Sequence, residues 1–303
     1  MCIMQPIVYV TRKLPDEALK ALSEVATVKM WEKDDVPVPR DVLLQEAKEA
    51  TALLTMLTER VDEELFEACK QLKIVANMAV GYDNIDVSAA QKHNVIVTNT
   101  PDVLTDTTAD LTFALLMATA RRLMEATDYI KRDEWTTWSP FQLAGHDIHH
   151  KTLGIVGMGR IGEAVAKRAT GFDMEILYHN RSRRPSAEEK YGATYCSFDE
   201  LLAKSDFVVC LAPLTEETKH LFNEVAFKQM KSSAVFINAS RGALVDEADL
   251  YEALKNGEIA RAGLDVFEQE PIRSNHPLVH LPNVVALPHI GSASFETRMK
   301  MAT

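Results

Sequence analysis

Three charged residues in the last third of the sequence could together carry out proton-transfer chemistry. Arg241, Glu270 and His289 each follow a predicted strand. Open α/β sheets bind ligands beyond the carboxyl ends of their strands, so the three side chains are candidates for one site. The arginine could anchor a carboxylate, the glutamate could tune an imidazole, and the histidine could give or take a proton. Any one of them alone is typical of a surface charge, but the set predicts a catalytic centre.

A glycine motif in the middle of the chain predicts a dinucleotide-binding turn. It has the spacing GxGxxG between a predicted strand and a predicted helix, and its predicted cofactor-binding residues are Gly157, Gly159, Arg160, Ile161 and Gly162. The first glycine would make the tight turn and the second would let the backbone approach a pyrophosphate. The third would let the helix pack closely on its strand. The motif alone is weak, but the flanking strand and helix make it specific.

The turn after the next predicted strand favours NADP(H), with NAD(H) possible. NAD sites place an acidic residue about 20 residues beyond the glycine motif, where it accepts hydrogen bonds from the ribose. Here Asn180 stands at that place, and Arg181, Arg183 and Arg184 follow. The missing carboxylate removes repulsion towards a 2′-phosphate, which arginines bind in bidentate fashion. The alternative is a solvated basic turn on an acidic protein.

Strands alternating with helices would position these residues. The predicted strands are 7–10, 53–57, 74–78, 95–97, 152–157, 175–179, 207–211, 234–238, 261–266 and 284–287. This alternation predicts parallel βαβ units and doubly wound α/β sheets. A single long helical segment is predicted at 107–134. The aromatic loop that follows carries Trp135 and Trp138, which would need a partner surface.

Composition bounds the class of protein. The 303 residues suggest two domains, and 47% hydrophobic with 25% charged residues is typical of a globular protein. A net charge of −11 argues against nucleic acid and anionic membrane partners.

The apolar run 111–120 is too short to span a bilayer. Without a signal-like N-terminus, and with its cysteines scattered as Cys2, Cys69, Cys196 and Cys210, the chain is predicted to be cytoplasmic. No metal site is predicted, because the spacing at 145–150 fits no standard ligand set.

Six motifs in order along the chain resemble the D-isomer-specific 2-hydroxyacid dehydrogenases. They lie at 80–86, 99–106, 153–162, 213–215, 238–242 and 288–291. Within that family, the loop with Trp135 and Trp138 and the basic turn at 180–184 most resemble the glyoxylate/hydroxypyruvate reductases.

The resemblance implies residue roles. His289 would protonate the keto oxygen, Glu270 would favour the protonated imidazole, and Arg241 would bind the substrate's carboxylate and carbonyl. Further substrate-binding residues would be Leu57, Val80, Gly81 and, reaching into the partner subunit of a homodimer, Trp138. Further cofactor-binding residues would be Thr108, Ala212, Pro213, Ala239, Asp265 and Gly291.

The resemblance also implies the architecture. A flavodoxin-like catalytic domain would comprise 1–98 and 289–303, and a Rossmann cofactor domain would comprise 99–288, with a cleft between them. The family's C-terminal helix would be cut short at Thr303.

The implied activity is the NADPH-dependent reduction of glyoxylate or hydroxypyruvate to glycolate or D-glycerate. A 2-ketogluconate reductase, and a non-catalytic, dinucleotide-sensing corepressor-like dimer, are the alternatives. The sequence leaves open the physiological substrate, the degree of NADPH preference and any assembly beyond a dimer.

Overall fold

The computed structural model describes residues 5–303, which form two compact units. One unit contains 5–104 with Ala293–Thr303, and the other contains Thr105–Ser292. The domain bounds drawn from the sequence, 1–98 with 289–303 and 99–288, stay a prediction. The inferences from Cys2 and from the first residues of the N-terminus concern 1–4, which lie outside the described residues.

The first unit is built on a five-stranded parallel sheet in the order β2-β1-β3-β4-β5. Its strands are β1 (Ile7–Val10), β2 (Thr27–Met30), β3 (Ala52–Thr55), β4 (Ile74–Asn77) and β5 (Ile96–Thr98). Its helices are α1 (Asp16–Val25), α2 (Arg40–Ala47), α3 (Glu63–Ala68), α4 (Val87–Lys92) and, from the end of the chain, α12 (Phe295–Ala302). The strand order reverses between β1 and β3, the flavodoxin-like arrangement in which ligands bind at that switch point.

The second unit is built on a seven-stranded parallel sheet in the order β12-β11-β10-β9-β6-β7-β8. Its strands are β6 (Thr152–Val156), β7 (Glu175–His179), β8 (Thr194–Tyr195), β9 (Phe207–Cys210), β10 (Val235–Asn238), β11 (Arg261–Leu264) and β12 (Val284–Ala286). Its helices are α5 (Thr105–Ala120), α6 (Leu123–Lys131), α7 (Arg160–Thr170), α8 (Pro185–Tyr191), α9 (Phe198–Lys204), α10 (Glu224–Gln229) and α11 (Glu247–Lys255). The order reverses between β6 and β9, as in a Rossmann fold.

Hydrophobic side chains bury the second sheet from both sides. Phe222, Phe227 and Phe236 centre one core cluster, and Leu116 and Ile155 belong to the other. Strands β9 and β10 are fully buried along their lengths. Because both of their faces are covered, their sequences are nearly continuous apolar runs. The two doubly wound parallel sheets predicted from the sequence are confirmed.

The single helix predicted at 107–134 is wrong, because the structure divides it into α5 and α6. Arg122 has a φ of 57°, in the left-handed region that interrupts a helix. The Ala120 carbonyl, which a continuing helix would use, accepts a hydrogen bond of 2.9 Å from the His146 amide. Gly145 permits this approach, since an added Cβ would lie 2.2 Å from that carbonyl oxygen. A contact from distant sequence therefore ends α5.

Other differences are smaller. The sequence analysis did not predict β2 or the two-residue β8, and it placed the end of the strand at 53–57 two residues beyond Thr55. Cys69, Cys196 and Cys210 are buried. Across 5–303, no helix combines the length and the apolar character needed to cross a membrane.

Candidate active site

Three neighbouring strands of the second unit deliver the predicted catalytic residues to one edge of the sheet. Arg241 follows β10, Asp265 and Glu270 follow β11, and His289 follows β12. The strands pair in parallel in the order β10-β11-β12, so their carboxyl ends meet at the same edge. The sheet therefore gathers residues that are far apart in sequence.

His289 and Glu270 form a directly hydrogen-bonded pair. The Nδ1 atom of His289 lies 2.6 Å from Oε2 of Glu270, and the Phe267 amide donates to Oε1 of the same carboxylate at 2.9 Å. Both carboxylate oxygens are thus engaged, which fixes the orientation of the imidazole. The second ring nitrogen, Nε2, lies on the far side of the ring from Glu270. The arrangement suits an imidazole that exchanges a proton through Nε2.

The environment keeps Glu270 ionised. Burial alone would raise the pKa of Glu270, but the hydrogen bond and charge of His289, with the Phe267 amide and the charge of Arg241, lower it below its usual value. An ionised carboxylate can only accept hydrogen bonds, so the Nδ1 atom of His289 is the donor in this pair. Nε2 is then the ring nitrogen left to face a ligand.

Asp265 fixes the backbone turn that presents His289. It is 1% exposed, and its Oδ1 accepts a hydrogen bond of 2.8 Å from the Ile290 amide. Its carbonyl accepts another of 2.8 Å from the His289 amide. His289 has a φ of 54°, so these bonds hold it in a conformation that few residues adopt. Burial raises the pKa of the Asp265 carboxyl.

The loop that carries Arg241 is fixed by Asn238. The side chain of this buried asparagine donates to the Arg241 carbonyl at 2.9 Å and accepts from the Ser240 amide at 3.1 Å. Gly242 lets the loop pack on the backbone that leads to Glu270, since a Cβ there would lie 1.8 Å from the carbonyl carbon of Phe267. The structure thus brings Arg241, Glu270 and His289 together.

The glycine turn has the geometry of a dinucleotide site. Gly157 has a φ of +104°, and a Cβ there would lie 2.4 Å from the Ala212 amide nitrogen, at the switch point between β6 and β9. A Cβ on Gly162 would lie 2.4 Å from the Gly157 carbonyl oxygen. A Cβ on Gly159, in contrast, would meet none of the described residues within 4 Å. Gly159 therefore leaves room for a pyrophosphate at the start of α7.

The remaining predicted cofactor residues lie near this edge of the second sheet. Arg160 and Ile161 begin α7, and Ala212 and Pro213 follow β9. The Ser240 hydroxyl donates to the Ala212 carbonyl at 2.5 Å, which ties the β9 and β10 loops together. The Ala239 amide donates to the Cys210 carbonyl at 3.4 Å.

Thr108 packs beside the turn that presents His289. A Cβ on Gly291 would lie 3.2 Å from Oδ2 of Asp265 and 3.4 Å from Cγ2 of Thr108. Thr108, Asp265 and Gly291 are therefore neighbours.

The basic turn is more structured than its composition suggested. Asn180 donates to the Ser182 carbonyl at 3.0 Å, and Arg181, Arg183 and Arg184 are exposed. Arg183, however, is ion-paired with Glu188, so the three arginines are not equivalent.

The first unit holds Leu57, Val80 and Gly81 on loops that follow β3 and β4. The Asn99 side chain donates to the Val80 carbonyl at 2.9 Å, and the Asn77 side chain donates to the Gly81 carbonyl at 2.9 Å. Amide side chains thus hold this loop in place.

Sequence reasoning missed a buried carboxylate beside Leu57. Glu59 is 3% exposed and accepts hydrogen bonds from the Thr11 hydroxyl at 2.7 Å and the Met56 amide at 2.6 Å. It therefore organises the switch point of the first sheet. The only signal in the sequence is an acidic residue soon after an apolar strand, which is too common to be diagnostic.

Substitution of the two glycines separates folding from dinucleotide binding. We expect Gly159→Ala to melt within about 2 °C of the parent and to bind NADH and NADPH about tenfold or more weakly. Gly157→Ala should lose about 2 kcal/mol or more of stability through its backbone clash. Thermal unfolding and fluorescence titration measure the two effects. Unchanged binding by Gly159→Ala would contradict the site.

The lowered pKa of Glu270 predicts a pH-dependent stability. A carboxyl group whose pKa is lowered by folding contributes stability above its unfolded pKa and loses it as the pH falls through its folded pKa. Glu270→Gln should therefore be less stable than the parent near neutral pH, and the gap should shrink towards about pH 3. Urea unfolding across this range tests the prediction. A difference in unfolding free energy that stays constant with pH would show that the charge of Glu270 contributes nothing to stability.

Comparison with known proteins agrees with this geometry. Residues 113–291 match the family described as D-isomer specific 2-hydroxyacid dehydrogenase, NAD binding domain. A glyoxylate reductase of Korarchaeum cryptofilum is 51% identical over 300 residues, which cover 99% of this chain and 90% of that protein.

Solved structures agree as well. The crystal structure of the TT0316 protein from Thermus thermophilus has a TM-score of 0.92 and 44% identity, covering 98% of this chain and 93% of its own. An NADPH-dependent glyoxylate/hydroxypyruvate reductase from Sinorhizobium meliloti, in complex with NADP and malonate, has a TM-score of 0.85 and 36% identity, covering 98% and 90%. With the paired His289 and Glu270 at the edge of a Rossmann sheet, these likenesses show that the chain is an enzyme of the D-isomer-specific 2-hydroxyacid dehydrogenase family.

Proposed function

We propose that the enzyme reduces glyoxylate, and hydroxypyruvate as a second substrate, with NADPH as the hydride donor and His289 as the proton donor. The observation that carries this proposal is the 2.6 Å hydrogen bond between His289 and Glu270, with the Arg241 loop packed against the loop that leads to Glu270. Such a set suits a small 2-keto acid, because it offers a cation for the carboxylate and an acid for the keto oxygen.

Each residue has a distinct part in the reaction. A bound reduced dinucleotide supplies a hydride to the C2 carbon of the keto acid. Arg241 binds the substrate carboxylate and stabilises the negative charge that develops on the keto oxygen. His289 donates its Nε2 proton to that oxygen, and Glu270 holds the ring through Nδ1. Proton uptake by the imidazole then restores the starting state.

The preference for NADPH is supported by the turn after β7. Asn180 replaces the acidic residue of an NAD site, and Arg181 and Arg184 offer exposed positive charge for a 2′-phosphate. The Sinorhizobium meliloti relative is described as NADPH-dependent and was crystallised with NADP. NAD(H) is the second cofactor in this proposal.

We also propose that the enzyme is a homodimer and that it acts in the cytoplasm. Helix α6 has no buried residue along its described length, and Trp135, Trp138 and Phe141 beside it are 59%, 76% and 86% exposed. Large apolar side chains that are exposed side by side mark an interaction surface, so a second copy is the partner that we propose. Trp138 would then serve the site of the other subunit. Leu57, Val80 and Gly81 are the substrate-binding residues that we propose in the first unit.

Initial rates of cofactor oxidation test the function directly. We expect rapid NADPH consumption with glyoxylate and hydroxypyruvate, and slower rates with NADH, pyruvate or 2-ketogluconate. A best rate with 2-ketogluconate would move the assignment to a 2-ketogluconate reductase. Tight dinucleotide binding without turnover of any keto acid would instead support the dinucleotide-sensing scaffold.

Substitution of the catalytic residues tests the roles. His289→Ala should lower kcat on the order of a thousandfold and leave the Kd for NADPH within about twofold. Arg241→Ala should raise KM and lower kcat, because ground and transition states both lose their anchor. His149→Ala, at an exposed histidine of the same unit, is the matched control. Parent-like kinetics for Arg241→Ala would exclude its assigned role, and lost NADPH binding by His289→Ala would make that residue structural.

A further inference from the structure

Arg183 of the basic turn is already bound by a carboxylate of this chain. Its Nε donates to Oε1 of Glu188 at 3.1 Å, and its Nη2 donates to Oε2 at 2.6 Å. This is the bidentate geometry in which an arginine also binds phosphate. Glu188 lies on α8, which begins directly after the basic turn. The carboxylate therefore occupies the arginine face that a 2′-phosphate would use.

Glu188 is held in this position by the core of the unit. Tyr178, whose side chain is fully buried, donates its hydroxyl proton to Oε1 of Glu188 at 2.6 Å. The same hydroxyl accepts a hydrogen bond of 2.7 Å from the Arg184 amide. A buried tyrosine thus connects the carboxylate to the backbone of the basic turn. Glu188 differs in this respect from a mobile surface glutamate.

Glu188 is negatively charged near neutral pH. The hydrogen bond from Arg183, followed by the one from Tyr178, lowers the pKa of Glu188 below its usual value. A charged carboxylate next to a phosphate site repels the phosphate, and the repulsion weakens with distance and with salt.

We propose that Glu188 is a specificity-determining residue that lowers the preference of this enzyme for NADPH over NADH, because it competes with the 2′-phosphate for Arg183. The proposal rests on the proposed function for the position of the adenosine ribose at 180–184. A 2′-phosphate gains the full contact with Arg183 only by displacing Glu188, and it stays close to that charge. NADH lacks this phosphate, so its affinity does not depend on the pair. Arg181 and Arg184 then carry the NADPH preference of the parent enzyme.

The test measures the binding of cofactor fragments to the full chain, without turnover. Isothermal titration with 2′,5′-ADP and with 5′-AMP reports the 2′-phosphate contribution as a ratio of two Kd values. Glu188→Gln removes the charge and keeps an amide oxygen that can accept the Tyr178 proton. We expect 2′,5′-ADP to bind about fivefold more tightly and 5′-AMP to stay within about twofold. An unchanged ratio, or weaker 2′,5′-ADP binding, would overturn the proposal.

A matched control separates this effect from the general charge of the surface. Glu189 is the next residue on α8 and is exposed. Glu189→Gln removes the same charge and should change the ratio of Kd values by less than about twofold. An equal gain in 2′,5′-ADP affinity from Glu189→Gln would show that the effect comes from the overall negative charge of this surface and not from competition for Arg183.

A double variant tests the mechanism through Arg183. When Glu188→Gln is introduced into Arg183→Ala, it should no longer increase the affinity for 2′,5′-ADP. An increase that persists in this double variant would contradict the competition for Arg183. Raising the salt from about 0.05 M to about 0.5 M should shrink the gain, because screening weakens phosphate contacts. Glu188→Ala, expected to shift the ratio in the same direction, gives an independent measurement if the glutamine variant folds poorly.

A failure of the competition proposed for Glu188 can be told apart from a failure of the proposed NADPH preference. The ratio measured on the parent protein tests whether NADPH is preferred. The change in that ratio on substitution of Glu188 tests the competition, whichever cofactor the parent prefers. Failure of both ligands to bind any variant would overturn the competition, and turnover of glyoxylate would still be measured separately.

Discussion

The hydrogen bond between His289 and Glu270 is the interaction to which the surrounding loops are adapted. It requires that two side chains 19 residues apart in sequence meet at 2.6 Å. Asp265 meets one part of this requirement, since it holds the turn at His289 in a left-handed conformation. The Phe267 amide meets another, because it fixes the second carboxylate oxygen. Together these contacts keep the imidazole in one orientation.

The same loops connect the candidate catalytic residues to the glycine turn. Asn238 shapes the Arg241 loop, and Ser240 connects it to the Ala212 carbonyl beside Gly157. The glycine turn and the Arg241 loop are therefore linked by a set of short polar contacts along the sheet edge. A substitution at Asn238 would disturb both ends of this set. Rigid strands place the residues coarsely, and short polar contacts set the final distances.

The sequence predicted the fold class, and it singled out the three charged residues that the structure places at one edge of the second sheet, because both inferences depend on local patterns. Strand and helix periodicity, the GxGxxG spacing and the placement of charges after strands are all readable within short windows. The failures came from distant contacts. The break at Arg122 depends on Gly145 and His146, and the burial of Glu59 depends on Thr11. The pairing of Arg183 with Glu188 depends on Tyr178, which no count of arginines in the turn could reveal.

The way in which α5 ends determines which part of the chain can change in length and sequence. The His146 amide binds the Ala120 carbonyl, and the Arg122 guanidinium donates to the Ala144 carbonyl at 3.3 Å. The segment from α6 through the aromatic loop is thus an excursion whose two ends are fastened at one point. Changes of length or sequence within such an excursion leave the sheet untouched, because loop-closure entropy grows slowly with length. Evolution can therefore change the aromatic tip, and with it the surface offered to a second copy, while the Rossmann core stays constant.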